Sequence, residues 1–121
     1  MKPGTAKAKG RETENRVVAW LRELGWVNAE RRRLAGSNDQ GDITGIPGMV
    51  IEVKSAAQWK PVQWLRETEV ERANANAEIA FCIARPKATP NVDDWVVLMT
   101  PAQLIALLAD SGYQPHIPME L

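Results

Sequence analysis

The stretch GDITGIPGMVIEVK, residues 41–54, decides the predicted fold. It contains two runs rich in β-branched residues, separated by Pro47–Gly48, and this pattern is typical of two strands joined by a tight turn. Side chains alternate between the two faces of a strand, so Val50, Glu52 and Lys54 share one face of MVIEVK, opposite Met49, Ile51 and Val53. Asp42 begins the partner strand, and a short hairpin brings opposing side chains close together.

The rest of the chain surrounds this hairpin with three helices and three further strands. Turn residues, proline positions and apolar periodicity give the bounds. The predicted helices are Gly10–Leu24, Pro61–Ala77 and PAQLIALLAD (101–110), and the further strands are Val27–Leu34, EIAFCIAR (78–85) and DWVVLMT (94–100). The order α-β-β-β-α-β-β-α predicts an α/β fold with a mixed central sheet flanked by helices.

The 121 residues fit one domain, predicted over 10–121 and preceded by a flexible basic arm at 1–9. Net charge is zero, but residues 1–60 carry 11 basic and 7 acidic side chains and residues 61–121 carry 4 and 8. The basic half favours an anionic partner such as DNA, although charges can also cluster by accident. No apolar run reaches the length of a membrane span.

Cysteine and histidine usage narrows the chemistry. Cys82 is the only cysteine and lies in the apolar segment IAFCIA, which predicts a core position in a reducing compartment, the cytoplasm (of the host, for a phage-encoded chain). With one histidine, His116, and one cysteine, the chain has no materials for a zinc site or a Cys/His nucleophilic pair.

The first helix separates two neighbouring glutamates. At 100° per residue, Glu14 lies on the side of Val17, Val18, Leu21, Leu24 and Gly25, whereas Glu12 lies on the solvent side. A buried carboxylate is costly unless a cation or a metal ion accompanies it. Glu14 is therefore either a site residue or an acid that stabilises the dipole of a frayed first turn.

Asp42 and Glu52 converge in this reading, and two converging carboxylates suit a hard divalent cation such as Mg²⁺. Lys54 can orient a water molecule or stabilise charge that develops on a phosphate, and Glu14 can act as a further ligand through water. An acid-x-Lys triplet alone also fits an exposed ion pair on an edge strand, and an aspartate after glycine is often only a turn residue.

The conjunction of these features resembles the PD-(D/E)XK nuclease superfamily. KGRETENRVVAWLRELGW, the Arg-rich strand, AGSNDQGDI and IEVK together look like archaeal-type Holliday junction resolvases and the related phage and bacterial nucleases, over about residues 9–85. The resemblance implies a restriction-endonuclease-like core and a Mg²⁺-dependent endodeoxyribonuclease, with Mn²⁺ as a substitute. In that scheme Asp42 and Glu52 are the metal-binding acids, Glu14 is the helix acid, Lys54 is catalytic, and the Val53 carbonyl is an extra ligand.

Two positions depart from the family pattern. Gly41 stands where a proline commonly precedes the motif aspartate. Many of these resolvases carry Ser-Gly in the preceding loop, whereas here Ser37 follows Gly36. Ser37 is retained as a candidate contact to DNA.

Basic residues near the motif predict contacts to the DNA backbone, since guanidinium groups match phosphate oxygens. The candidates are Lys7, Lys9, Arg11, Arg31, Arg32, Arg33 and Ser37. The arginine run also fits an edge strand protected by charge. Trp59 and Trp64 flank the start of the second helix and could serve as core, dimer interface or DNA wedge.

The leading functional hypothesis is a Holliday junction resolvase that acts in DNA recombination and repair. A four-way junction has near-twofold symmetry and needs paired cuts, which predicts a homodimer with two active sites. One alternative is a nuclease with the same chemistry that acts on flaps, nicks or mismatches. Another is a non-catalytic DNA-binding protein that keeps the fold.

Overall fold

The computed structural model describes residues 5–33 and 41–113. Its three α-helices are α1 (Thr5–Glu23), α2 (Pro61–Ala75) and α3 (Pro101–Asp110). Its five strands are β1 (Glu30–Arg31), β2 (Ile43–Thr44), β3 (Met49–Lys54), β4 (Ile79–Ala84) and β5 (Val96–Leu98), with a short 3-10 helix at Val92–Asp94. The predicted order of elements is confirmed. None of the helices within the described ranges is long and apolar enough to cross a membrane.

The strands form a mixed arrangement. β3 and β4 run parallel, and β5 pairs antiparallel with β4, which gives the sheet order β3-β4-β5. β1 and β2 form a separate antiparallel pair, so β2 and β3 do not form the paired strands that the predicted hairpin requires. The turn at Pro47–Gly48 is present, and the Asp42 amide links the β1–β2 pair to β3 by donating to the Ile51 carbonyl at 3.1 Å. Parallel neighbours need a crossover connection, and α2 supplies it between β3 and β4. The predicted α/β class with a mixed sheet flanked by helices is confirmed.

β3 packs its two faces against different layers. Ile51 and Val53 lie in the main core with Val17 and Leu21 of α1. On the opposite face, Val50 packs against Ala77 and Ala80. The predicted alternation is confirmed, so Glu52 and Lys54 point toward the layer that contains α2. Cys82 is fully buried, as its apolar surroundings predict.

The start of α1 differs from the prediction. The helix begins at Thr5 rather than near Gly10, so residues 5–9 of the predicted arm are its first turns, and residues 1–4 lie outside the described part of the chain. Gly25 ends the helix as predicted, with φ at +113° and its amide bonded to the Arg22 carbonyl. Because the chain leaves the helix there, Leu24 is 56% exposed and does not join the apolar face.

The predicted strands around the hairpin are longer than the observed ones. The segment after α1 turns back on it, with the Trp26 amide bonded to the Leu21 carbonyl, and Val27 is 70% exposed. Among the described residues of the predicted first strand, 27–33, Glu30–Arg31 form the paired strand β1, and Leu34 lies outside the described residues. The predicted second helix also ends earlier than Ala77, because Asn76 adopts the left-handed conformation that closes it.

Gly45 and Gly48 lie between β2 and β3, and they differ in how closely other atoms surround them. Both Gly45 and Gly48 have φ near +80°, a conformation that costs an L-residue about 1 kcal/mol. A Cβ on Gly45 would lie 1.9 Å from the carbonyl oxygen of Asn28, whereas a Cβ on Gly48 would meet nothing within 4 Å. Gly45 therefore allows the end of β2 to approach the connection after α1.

We expect Gly45→Ala to lower the free energy of unfolding by about 3 kcal/mol, because overpacking adds to the backbone strain. Gly48→Ala is the matched control and should cost about 1 kcal/mol, the strain alone. Urea denaturation of both variants measures the difference. Equal losses would show that the approach of β2 to Asn28 does not limit this position.

Candidate active site

Asp42 is fastened to β3 by its backbone and its side chain. Its amide donates to the Ile51 carbonyl, and its Oδ2 accepts a 2.7 Å hydrogen bond from the Val53 amide. The preceding residue makes this approach possible, since a Cβ on Gly41 would lie 2.9 Å from Cγ1 of Val50. Glycine thus stands before the aspartate for a steric reason, with φ at +97°.

Glu52 is 6% exposed and lies beside Asp42. Burial and the neighbouring Glu52 carboxylate raise the pKa of Asp42 to about 8. Burial raises the pKa of Glu52 to about 8 as well, with a further contribution from Glu71. The bond from the Val53 amide and the charge of Lys54 favour the ionised form of Asp42 but do not offset burial. The pair therefore retains protons at neutral pH when no cation is present.

Lys54 reaches the same site and is held there by a residue of α2. Its Nζ lies 2.7 Å from Oε2 of Glu67, whose other oxygen accepts a hydrogen bond from Gln63 at 3.1 Å. Burial lowers the pKa of the ammonium, but the bond to Glu67 and the charges of Glu52 and Asp42 outweigh it, so the net pKa is raised. Lys54 stays protonated beside the carboxylates.

Glu14 points inward, as the helical periodicity predicts, and Glu12 is exposed. The two side chains are 21% and 47% exposed. Burial and the proximity of Asp42 raise the pKa of Glu14, although its Oε1 pairs with Nε of Arg31 at 2.8 Å. Glu14 lies on α1, which packs on the face of β3 opposite Glu52 and Lys54, so its side chain approaches the site beside Asp42.

Glu71 also belongs to the site, although the local sequence pattern did not predict it. It lies on α2, is 3% exposed, and its carboxyl group is close enough to Glu52 to raise the pKa of that side chain. Glu67 and Glu71 are four residues apart on a helix whose buried face also includes Trp64 and Thr68. This spacing is the signal in the sequence that could have indicated an acidic stripe on α2 facing the sheet.

The four carboxylates follow one another in a line. Glu14 neighbours Asp42, Asp42 neighbours Glu52, and Glu52 neighbours Glu71. In keeping with this, no three Asp, Glu, His or Cys side chains within residues 5–33 and 41–113 are grouped so that they could hold a metal ion as they stand. A divalent cation could be held by the central pair, Asp42 and Glu52, with other ligands from backbone or water.

The backbone carbonyl of Val53 is placed where it could be a further ligand to this cation. In an extended strand, the N–H and C=O of one residue point to the same side. The Val53 amide faces Asp42, so its carbonyl is directed to that side of β3. The chemistry of this donor set, two carboxylates and a carbonyl, fits Mg²⁺ or Mn²⁺.

The predicted DNA-binding residues fall into three groups. Lys9, Arg11 and Arg33 are exposed. Arg31 is engaged by Glu14, and the Arg32 amide donates to the Asp42 carbonyl at 2.8 Å, so this part of the arginine run also supports the site. Ser37 and the side chain of Lys7 lie outside the described residues.

The tryptophans divide between core and surface. Trp95 and Trp64 are buried, which favours the core alternative for Trp64. Trp59 is 39% exposed and tilts against Trp64, with 5.8 Å between ring centroids.

Comparisons with protein-family models, with curated proteins and with solved structures found no match to this chain. Its function is therefore inferred from the residues and geometry of the site.

The raised pKa values predict how stability changes with pH in the metal-free protein. Between pH about 4, where unfolded carboxyls titrate, and about 8, the folded Asp42–Glu52 pair binds protons that the unfolded chain has released. The free energy of unfolding should therefore fall as pH rises through this window, by at most about 1.4 kcal/mol per pH unit for each retained proton.

Urea denaturation in EDTA across this window tests the dependence. Asp42→Asn is the matched control, because it keeps an acceptor for the Val53 amide while removing one charge, and it should flatten the slope. Mg²⁺ should also flatten it, because the ion favours the ionised pair. A wild-type protein that gains stability as pH rises from 5 to 8 would contradict the burial of this pair.

A second prediction concerns the ion pair between Lys54 and Glu67. Glu67→Gln should lower the pKa of the Lys54 ammonium, because burial then acts with less opposing negative charge. Carbon-13 NMR of the lysine Cε resonance measures this pKa. Glu69→Gln, which breaks the pair with Arg72 on the same helix, should leave it unchanged. If Glu67→Gln leaves it unchanged as well, Glu67 does not hold Lys54 in solution.

Proposed function

We propose that this protein is a Mg²⁺-dependent endonuclease that cleaves phosphodiester bonds in branched DNA, with the four-way junction as its main substrate. The observation that carries the proposal is the meeting of Asp42, Glu52 and Lys54 at one buried site beside β3. Two adjacent carboxylates with raised pKa values and a protonated lysine beside them are costly to bury, which is typical of functional sites.

The carboxylates supply the cation site. Asp42 is held against β3 by the Val53 amide, and Glu52 is fixed in the neighbouring strand position. A bound Mg²⁺ would polarise a phosphate oxygen and lower the pKa of a coordinated water. Because the Asp42 side chain and the backbone of Glu52 are held in place before the ion arrives, little reorganisation is needed to bind it.

Lys54 supplies positive charge next to that site. Glu67 holds the ammonium on the α2 side of β3, close enough for Glu52 and Asp42 to raise its pKa. From this place the lysine would stabilise negative charge that develops on the phosphate, which is most effective in a site that excludes water. Glu14 would tune Asp42 from the opposite side.

The restriction-endonuclease-like core, the homodimer and a role in recombination and repair belong to the same proposal. The order of elements and the pair Asp42–Glu52 support the core assignment, together with the motif resemblance over about residues 9–85. Paired cuts in a near-twofold junction favour a C2 dimer with one site in each subunit.

Cleavage of synthetic four-way junctions and of plain duplex, in Mg²⁺ and in EDTA, tests the proposal. We expect cutting of the junction in Mg²⁺ alone, and Asp42→Asn or Lys54→Ala should slow it by at least about 100-fold. Glu23→Gln, at an exposed end of α1, is a control that should cut normally.

The outcomes separate the parts of the proposal. Equal cutting of duplex would remove the junction preference and keep the nuclease, and preferential cutting of flaps or nicks would replace the substrate. Variants at Asp42 or Lys54 that cut normally would defeat the mechanism. DNA binding with neither cleavage nor binding of Mg²⁺ or Mn²⁺ would identify a non-catalytic DNA-binding protein.

A further inference from the structure

A second basic feature lies beside the active site and was not indicated by the motif. A cavity of about 180 Å³ opens at the ends of β3 and β4. It is lined by Lys9, Ser55, Arg85, Pro86, Lys87 and Ala88, and this set is called the basic cleft. Three of the six residues are cations and none is acidic, so its lining is suited to an anion.

The basic cleft adjoins the strand that carries the site. Ser55 directly follows Lys54 in the chain, and the Arg85 amide donates to the Lys54 carbonyl at 2.9 Å. Lys9 comes from α1, one turn before Thr13, and Thr13 accepts a hydrogen bond from Arg85 at 3.1 Å. A ligand in the cleft would therefore lie next to the end of β3 that carries Lys54.

The loop that forms one wall is fixed by side chains on both sides. Nε1 of Trp95 donates to the Thr89 carbonyl at 2.7 Å, and Arg16 donates to the Pro90 carbonyl at 2.6 Å. The Arg85 guanidinium lies over the Trp95 ring, 5.2 Å from its centroid. The wall is thus in place without a ligand, which reduces the ordering cost of binding one.

Charge and size together indicate the class of ligand. Glu12 pairs with Arg85, but within the described residues neither Lys9 nor Lys87 forms an ion pair. The charges of these two lysines are therefore available to a ligand in the cavity. The cavity is also smaller than the roughly 300 Å³ at which pockets for drug-sized ligands begin. The volume thus excludes a drug-sized ligand, and the cationic lining, which includes no aromatic side chain for stacking among its described residues, suits a phosphate better than a base.

We propose that the basic cleft binds one backbone phosphate of the nucleic acid, adjacent to the phosphate at the Asp42–Glu52–Lys54 site. The inference rests on the proposed function for its choice of ligand. Lys9 and Lys87 provide charge, Arg85 provides a fixed guanidinium, and the Ser55 hydroxyl can donate a hydrogen bond. Such a contact carries no sequence information and sets the register of the strand across the site.

Binding of labelled four-way junction in EDTA, followed by fluorescence anisotropy over a range of salt concentrations, tests the cleft without any cleavage. Lys87→Ala and Lys9→Ala should each weaken binding several-fold and reduce the slope of log K against log salt by about one. Lys87→Glu should weaken it further. Arg66→Ala removes an exposed cation of α2 outside the cleft and is the matched control.

A second measurement uses inorganic phosphate. In proton–nitrogen correlation spectra, phosphate should shift the amide signals of Ser55, Lys87 and Ala88 in the wild type and not in Lys87→Glu. Circular dichroism and thermal denaturation establish that each variant is folded, as expected for exposed lysines.

The outcomes distinguish this inference from the proposed function. If the lysine variants bind the junction as tightly as Arg66→Ala does, with an unchanged salt slope, the proposed phosphate site in the basic cleft is overturned. This holds even if the wild type cleaves DNA. Weakened binding with a reduced slope upholds it even where no cleavage is found. If phosphate shifts the cleft amides but the wild type binds no DNA, the assignment to nucleic acid is overturned and a site for free phosphate remains.

Discussion

The hydrogen bond from the Val53 amide to Oδ2 of Asp42 is the contact on which the candidate site depends. It fixes the Asp42 side chain, directly before β2, against the C-terminal end of β3, one residue from Glu52. The cost is that two carboxylates lie side by side away from water, which raises both pKa values. A single backbone amide cannot offset that cost, so the surroundings must contribute.

The surroundings contribute through ion pairs on either side of the central carboxylates. Arg31 pairs with Glu14 next to Asp42, and Lys54 lies next to Glu52 while pairing with Glu67. A cation thus lies on each side of the central carboxylates, Arg31 on the α1 side and Lys54 on the α2 side. These two cations offset part of the cost of holding several acids near the core of a small domain, and the adjacent Asp42 and Glu52 remain the place where a further cation gains most.

Local patterns explain how much of this was predictable. The period of two in MVIEVK places Glu52 and Lys54 together, the turn at Pro47–Gly48 brings Asp42 alongside, and helical periodicity separates Glu14 from Glu12. The partners Glu67 and Glu71 were missed because their role depends on how α2 rotates over the sheet, a tertiary relation with no local signal beyond their spacing. The predicted strand lengths were wrong for a similar reason. Val27 has a high propensity for strands, but the chain there turns back onto α1.

The uneven charge of the two halves also takes on a different meaning in three dimensions. Residues 61–121 are acidic, which by itself argues against contact with DNA. Yet Glu71 is buried beside Glu52, Glu67 serves Lys54, and Glu69 is bound to Arg72. Their charge is directed at the site or at neighbours on the helix, while Arg85 and Lys87 of the same half join Lys9 in the basic cleft. Cations from both halves of the chain thus lie beside the end of β3 that carries Lys54, and the net charge of a segment is a poor guide to the surface that its residues form.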